Sequence, residues 1–218
     1  MSILRLKDIR YISDNTQILD SVNLNIEKGD CVSVIGASGS GKSTLLKICS
    51  DLISPTNGEI FFEEKNYLDY DPIELRKKIS YCVQIPYLFG KSVFDNLSYP
   101  FIIRKKEIDE QRILQFMKKL NLDSDYLHKD INALSGGEKQ RVALIRNLMF
   151  TPDILLLDEV TSALDKENAK IVESLIKEMN DNGITVIWVT HSLEQSESIF
   201  NKRIQMDQGQ VCAEEDLR

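Results

Sequence analysis

Polar and apolar residues alternate in the first part of the chain and give way later to short runs that are mostly apolar. Residues 3–11 and 18–26 alternate, which predicts two strands with one buried face each. Residues 31–35, 154–157 and 184–189 form short apolar runs. Runs of this length predict strands that are buried on both faces of a parallel sheet.

Turn signals and helical spacing divide the rest of the chain. Further strands are predicted at residues 59–62 and 79–83, and a closing hairpin at residues 203–211. Apolar residues recur at helical spacing from residue 91 to about residue 127. Shorter helices are predicted to begin near Lys42, Asp71, Ser135 and Ser192. This order predicts an α/β protein with a mainly parallel sheet, an N-terminal antiparallel β layer and an inserted helical subdomain.

Composition narrows the class of protein. The chain has 218 residues, of which 42% are hydrophobic and 28% charged, with a net charge of −7. It has no dominant basic stripe, so no nucleic-acid partner is predicted. No apolar run approaches the roughly 20 residues that span a bilayer, and the N-terminus lacks the apolar core of a signal peptide. We therefore expect a cytosolic protein.

The four cysteines do not indicate a disulfide framework or a metal site. Their spacing contains no Cys-x-x-Cys pair, which argues against zinc ligation. We expect reduced thiols and no structural metal. The four are Cys31, Cys49, Cys82 and Cys212.

Residues 36–43 read GASGSGKS and directly follow the predicted strand at residues 31–35. The pattern matches the phosphate-binding loop, and the strand before it and helix after it are the context that this loop requires. In such a loop, glycines let backbone N–H groups point at phosphates, the lysine reaches the β- and γ-phosphates, and the serine ligates Mg²⁺. The candidate ligands are Gly36, Ala37, Ser38, Gly39, Ser40, Gly41, Lys42 and Ser43.

Two carboxylates directly follow the apolar run at residues 154–157. They are Asp158 and Glu159, and such a pair after a buried strand is costly unless it is used or paired. An aspartate delivered beside a phosphate loop is a common ligand of Mg²⁺. Glu159 would point elsewhere and could orient or deprotonate a water molecule.

Polar residues also follow two other predicted strands, Gln84 after residues 79–83 and His191 after residues 184–189. The carboxyl ends of parallel strands meet at one edge of a sheet, where α/β proteins place ligand contacts. Both residues are therefore candidates, although Gln84 alone also fits an ordinary solvated loop residue.

Two further features each leave two interpretations open. Tyr11 fits either an aromatic side chain that stacks on a base or a partly buried core tyrosine. Ser135 precedes two glycines and a predicted helix, whose bare N-terminus fits an anion site. An ordinary capped helix is the alternative there.

Taken in order, these motifs resemble the nucleotide-binding subunit of ATP-binding-cassette (ABC) transporters. The resemblance covers nearly the whole chain, and LSGGEKQR, which begins at Leu134, is its most specific piece. It implies a phosphate-loop (RecA-like) core at residues 1–88 and 150–218, and a helical subdomain at about 89–149 that carries this signature. The motifs are GASGSGKS at 36–43, Gln84, LSGGE at 134–138, ILLLDE at 154–159, SALD at 162–165 and His191.

The resemblance implies a role for each candidate residue, with ATP and Mg²⁺ as the ligands. Tyr11 is similar to the aromatic residue that stacks on adenine, and Thr44 joins Lys42 and Ser43 in holding phosphates and Mg²⁺. Gln84 and Asp158 complete the metal site directly or through water. Glu159 is similar to the general base, and His191 to the sensor of the γ-phosphate.

The resemblance also implies partners. Ser135 and Gly137 are similar to signature residues that contact ATP held by a second copy of the chain, and Asp165 to the residue that couples the two sites. The active unit would be a head-to-tail dimer on an integral-membrane permease, peripheral on the inner face of the cell membrane. The apolar Tyr87, Leu88 and Phe89 either contact that permease or pack within the subunit.

Residues 80–101, LSGGEKQRVALIRNL and VIWVTH resemble the ATP-binding subunit of a bacterial iron-export transporter. This implies metal export as the process that ATP hydrolysis drives. The alternative is an ABC ATPase of the cell-division or lipoprotein-release kind, which transmits force or a signal to a membrane protein without moving an ion.

Overall fold

The structure is a computed structural model that describes residues 1–190 and 199–217. The described chain divides into two compact units. Unit 1 comprises Met1–Tyr81, Pro152–Glu159 and Met179–Arg218, and unit 2 comprises Cys82–Thr151 and Val160–Glu178. Unit 2 thus begins somewhat before the helical subdomain expected at about residue 89, and it takes in a second segment after Glu159.

Unit 1 is built from two sheets. Its strands are β1 (Ser2–Ser13), β2 (Thr16–Glu27), β3 (Cys31–Gly36), β4 (Asn57–Phe62), β5 (Lys65–Asn66), β6 (Ile79–Cys82), β7 (Ile154–Asp158), β8 (Thr185–Val189), β9 (Lys202–Asp207) and β10 (Gln210–Asp216). Its helices are α1 (Lys42–Cys49), α2 (Pro72–Lys78) and a 3₁₀ turn at Tyr67–Asp69.

The larger sheet confirms the predicted, mainly parallel core. Its strand order is β10-β9-β3-β8-β7-β6, and β3, β7, β8 and β9 pair in parallel. Every residue of β7 and β8 is buried, as the apolar runs at residues 154–157 and 184–189 predicted. The register places Asp158 opposite Val189, so the carboxyl ends of these strands lie at one edge.

The smaller sheet is the predicted antiparallel layer, with the order β2-β1-β4-β5. One apolar core contains side chains from both sheets and from α1, such as Leu6, Val34 and Leu46. The closing hairpin is longer than predicted, because β10 continues to Asp216. The position of the helix expected from about Ser192 lies outside the described residues.

Unit 2 is mainly helical, as the helical spacing from residue 91 to about residue 127 predicted. The chain forms α3 (Val93–Ile103), α4 (Glu110–Lys119) and a 3₁₀ turn (Ser124–His128) there, followed by a second 3₁₀ turn (Ile131–Ala133) and α5 (Gly136–Leu148). Ser92 begins α3 with a capping box, and Asp109 caps α4, so each helix has its own start signal. A further helix, α6 (Lys166–Asp181), was not predicted.

No helix in the described parts of the chain is both long enough and apolar enough to cross a membrane.

Candidate active site

The loop between β3 and α1 requires glycine at two positions. A Cβ atom on Gly36 would lie 2.2 Å from the backbone oxygen of Met206. Gly41 has a φ of 97° and immediately precedes α1, where a Cβ atom would meet Leu19 at 2.7 Å. These glycines let the loop turn tightly between strand and helix. Ala37, Ser38 and Gly39 remain exposed at its outer face.

Lys42 lies inside this loop. Its Nζ atom donates to the backbone oxygens of Gly36 at 2.9 Å and Ala37 at 2.8 Å, and the residue is only 5% exposed. Burial lowers the pKa of the ammonium group below its usual 10.5, although the Glu159 and Asp158 carboxylates act in the opposite direction. A desolvated cation held by neutral carbonyls is a favourable partner for an anion such as phosphate.

Asp158 is fixed by two hydroxyl groups. Ser43 Oγ donates to its Oδ1 atom at 3.0 Å, and the Tyr81 hydroxyl donates to its Oδ2 atom at 2.8 Å. Asp158 is 2% exposed, so these bonds satisfy a carboxylate that water hardly reaches. Sequence analysis missed Tyr81. The one sequence feature that could have indicated it is a hydroxyl-bearing side chain within the strand predicted at residues 79–83.

The oxygen ligands present suit Mg²⁺. Within the described residues, no group of three or more His, Cys, Asp and Glu side chains is placed to hold a metal ion. Ser43 and Asp158 instead bring a hydroxyl and a carboxylate oxygen together beside the loop, and Mg²⁺ commonly binds through one or two protein oxygens plus phosphates and water. The residues present therefore fit a metal ion that arrives with a nucleotide.

Glu159 has an unusual backbone conformation. Its φ is 49°, in the left-handed region, and its N–H donates to the backbone oxygen of Val189 at 3.1 Å. Such a conformation in a non-glycine residue is strained and is often found at functional sites. It turns the chain sharply after β7, so Glu159 is half-buried whereas Asp158 is buried.

The start of α5 is the capped helix that the sequence left as one of two interpretations. Ser135 Oγ accepts from the N–H of Glu138 at 3.2 Å, and Glu138 Oε2 accepts from the N–H of Ser135 at 2.6 Å. The capping box leaves Ser135 exposed and Gly137 half-exposed. A cap satisfies only part of the N-terminal N–H groups, so it does not remove the anion site as an interpretation.

Asp165 is held by a residue that sequence analysis missed. Its Oδ1 and Oδ2 atoms accept from the backbone and side-chain nitrogens of Asn168, both at 2.8 Å. These bonds lower the pKa of Asp165, the backbone bond most. Asn168 in turn accepts a hydrogen bond from the Arg141 guanidinium group of α5. The spacing of three residues, which is typical of a helix N-cap, was the available signal.

Tyr11, Thr44, Gln84 and His191 are further candidates. Tyr11 is half-buried and packs against the core of unit 1, and Thr44 is half-buried in α1. Gln84 is exposed in unit 2. His191 lies outside the described residues.

The apolar segment after Gln84 contains three side chains for which the sequence left two interpretations, contact with a permease or packing within the subunit. Tyr87 is 75% exposed, but Leu88 and Phe89 are half-buried. The Phe89 ring packs on Tyr99 with a centroid distance of 4.7 Å, which is packing within unit 2. Ile85, which was not predicted, is 82% exposed.

Comparison with known proteins shows to which family the chain belongs. A model of the family described as ABC transporter matches residues 19–162. The chain belongs to this family. It is an ATP-binding subunit of an ABC transporter and therefore an ATPase.

Individual ABC proteins resemble the chain over most of its length. The probable iron export ATP-binding protein FetA of Escherichia coli is 43% identical over 88% of this chain and 86% of its own length. The spermidine/putrescine import ATP-binding protein PotA of Mycoplasma capricolum is 36% identical over 96% of this chain but only 60% of its own length. A dimeric ATP-binding cassette in a post-hydrolysis state with ADP and Pi superposes with a TM-score of 0.91, at 33% identity and 99% coverage of both chains.

Proposed function

We propose that the chain hydrolyses Mg·ATP as one half of a head-to-tail dimer and thereby drives a membrane permease. The observation that carries the proposal is the contact of Ser43 with Asp158 beside a loop that already encloses Lys42. Phosphate oxygens would replace the carbonyl oxygens of Gly36 and Ala37 as partners of the Lys42 ammonium group.

Most of the proposed chemistry falls to residues of unit 1. Backbone N–H groups of the loop and the N-terminus of α1 bind and orient the phosphates. Ser43 and Asp158 would hold Mg²⁺, which neutralises charge on the β- and γ-phosphates when it is bound. Glu159 carries a carboxylate that can accept a proton from an attacking water molecule. Tyr11 would stack on the adenine ring. Gln84 would contact the coordination shell of the metal ion, and His191 would contact the γ-phosphate.

The signature residues give the chain half of a second site. Ser135 and Gly137 lie at a solvent-accessible helix N-terminus that carries no lysine, so they suit the γ-phosphate of ATP held by a partner copy. Asp165, fixed by Asn168, would couple the two sites across the dimer. The dimeric state described for the solved cassette at 33% identity supports this arrangement.

The permease would bind near the exposed apolar side chains of Ile85 and Tyr87. These side chains are 82% and 75% exposed and lie two positions apart, and contiguous exposed apolar surface is typical of protein–protein contacts. This interaction would hold the chain peripherally on the inner face of the cell membrane. Phe89 would support the contact from within unit 2 rather than form it.

Metal export, with iron as the transported ion, is the process we propose for this ATPase. The support is the 43% identity to a protein named as a probable iron exporter. Proteins named for polyamine import are less similar, at 36% identity. The transported substrate is set by the permease, so the test must include that protein.

The experiment is to purify the tagged chain from its native membrane and identify the proteins that accompany it. Recovery of a polytopic partner that stimulates ATP hydrolysis supports the transporter, and Lys42→Ala supplies the inactive control. Loss of iron efflux on deletion of the chain, with polyamine uptake unchanged, supports metal export. Recovery of a single-span division-type partner would instead favour a force-transmitting ATPase.

A further inference from the structure

Tyr81 contacts the proposed metal ligand from a strand that carries no recognised motif. Its hydroxyl donates to Asp158 Oδ2 at 2.8 Å, while Ser43 donates to the other oxygen at 3.0 Å. We propose that Tyr81 is a positioning residue that sets the Asp158 carboxylate for Mg²⁺. This inference rests on the proposed function, because it concerns the same Mg·ATP site.

The surroundings of Asp158 make this orientation matter. The residue is 2% exposed at the end of β7, a strand in which every residue is buried. Because solvent hardly reaches Asp158, Oδ2 would lose a hydrogen bond that water does not readily replace if the tyrosine hydroxyl were removed. A carboxylate with one unsatisfied oxygen would rotate towards another donor. Its Oδ1 atom would then no longer point towards the Ser43 hydroxyl.

Tyrosine is suited to this task by its charge and rigidity. The phenol donates a hydrogen bond without neutralising the carboxylate, whereas a lysine or arginine in its place would compete with Mg²⁺ for the negative charge. The ring is half-buried and packs against the core of unit 1, so the hydroxyl is held in place. The Asp158 carboxylate thus keeps its full negative charge for the metal ion, and its Oδ1 atom keeps a fixed orientation.

The proposal predicts a specific defect in metal binding. Tyr81→Phe removes one hydroxyl and keeps the ring, so the fold and the loop should remain. We expect the affinity for Mn²⁺ in the presence of ADP, measured by electron paramagnetic resonance, to fall about tenfold, the scale of a lost hydrogen bond to a charged group. The affinity for ADP in the presence of EDTA should stay at the parent value.

Tyr70→Phe is the matched control. The Tyr70 hydroxyl donates to the backbone oxygen of Phe62 at 3.0 Å, and its ring packs against the same core. This variant should lose a comparable amount of thermal stability but keep the parent Mn²⁺ affinity. A structural role alone would make the two variants alike.

Three results would overturn the proposal. The first is an unchanged Mn²⁺ affinity in Tyr81→Phe, and the second is an equal loss of affinity in Tyr70→Phe. The third is an equal loss of ADP affinity with and without metal, which would mean that Tyr81 supports the loop in general. Each of these leaves the ATPase assignment intact, whereas a parent chain that binds no Mn·ADP would overturn the proposed function as well.

Discussion

Ser43 at the start of α1 donates its hydroxyl to Oδ1 of Asp158 at the end of β7, over 3.0 Å. The two residues are 115 positions apart in sequence. They meet because β3 and β7 both pair with β8 in parallel, so that the loop after β3 and the last residue of β7 lie at the same edge. The larger sheet thereby brings two oxygen ligands for Mg²⁺ together.

Replacing Ser43 should weaken nucleotide binding only when metal is present. Ser43→Ala removes a proposed Mg²⁺ ligand and the donor to Asp158 Oδ1. We expect the gain in ADP affinity on adding Mg²⁺ to fall by about tenfold or more, because one bond to a charged group is lost. Isothermal titration calorimetry with and without EDTA measures both affinities. Ser50→Ala, at the other end of α1, should keep the parent gain, and a parent-like gain in Ser43→Ala would contradict the metal assignment.

Lys42→Ala should abolish nucleotide binding without destabilising the nucleotide-free chain. The ammonium group is 5% exposed and its pKa is lowered by burial, so its charged form opposes folding at neutral pH. This penalty declines as pH rises through the lowered pKa towards 10.5, the value of an unperturbed lysine. The stability difference between variant and parent should therefore shrink in that window, which urea unfolding at several pH values measures. Nucleotide binding at the parent level would contradict the loop assignment.

Glu159→Gln should bind ATP and hydrolyse it about 10²-fold or more slowly, the scale of a lost general base. Glutamine keeps the shape of the side chain at a position where the backbone has a φ of 49°. The variant should accumulate as an ATP-bound dimer, which size-exclusion chromatography with light scattering detects. Hydrolysis at the parent rate would show that Glu159 is not the base.

Strand types and motif positions could be predicted because they depend on local signals. The apolar runs at residues 154–157 and 184–189 identified β7 and β8 as buried strands, and the acid pair that follows the first run marked Asp158. The strand order depends instead on long-range pairing, which apolar runs of similar composition leave undetermined. Helical spacing predicted that residues 91 to about 127 are helical, but it did not give the bounds of α3 and α4.

The supporting residues of the site were harder to predict than its ligands. Tyr81 and Asn168 act through hydrogen bonds to residues in other elements or in the preceding turn, and neither belongs to a motif. The sequence left open whether Phe89 contacts a permease or packs within the subunit, and the structure shows it packed on Tyr99, ten positions later in the chain. Such partners are set by tertiary packing, which periodicity does not report.

Thiol reactivity tests the core of the fold. Cys49 and Cys82 are buried, and burial raises the pKa of each thiol to about 12, so neither should form a reactive thiolate at pH 8. Cys212 is exposed on β10. We expect Ellman's reagent to label one thiol rapidly in the folded chain and four in urea. Cys212→Ser should remove the rapid phase, and its persistence would contradict the described burial.

Mixing two inactive variants tests whether the site is shared between two copies. Ser135→Arg places a bulky cation at an exposed helix N-cap and should block hydrolysis while each chain still binds ATP. In a mixed dimer with Lys42→Ala, one site carries both defects and the other carries neither. Hydrolysis should therefore partly return when the two variants are mixed, as a steady-state phosphate-release assay measures.

The matched control is a mixture of Lys42→Ala with Ser43→Ala, both of which alter the loop side of the site. Every mixed dimer then has a defect in each of its two sites, so no activity should return. If the chain used Ser135 on its own nucleotide, both mixtures would behave alike, because every copy would carry a defective site. Recovery in the first mixture alone therefore requires that Ser135 acts on the ATP bound by the partner.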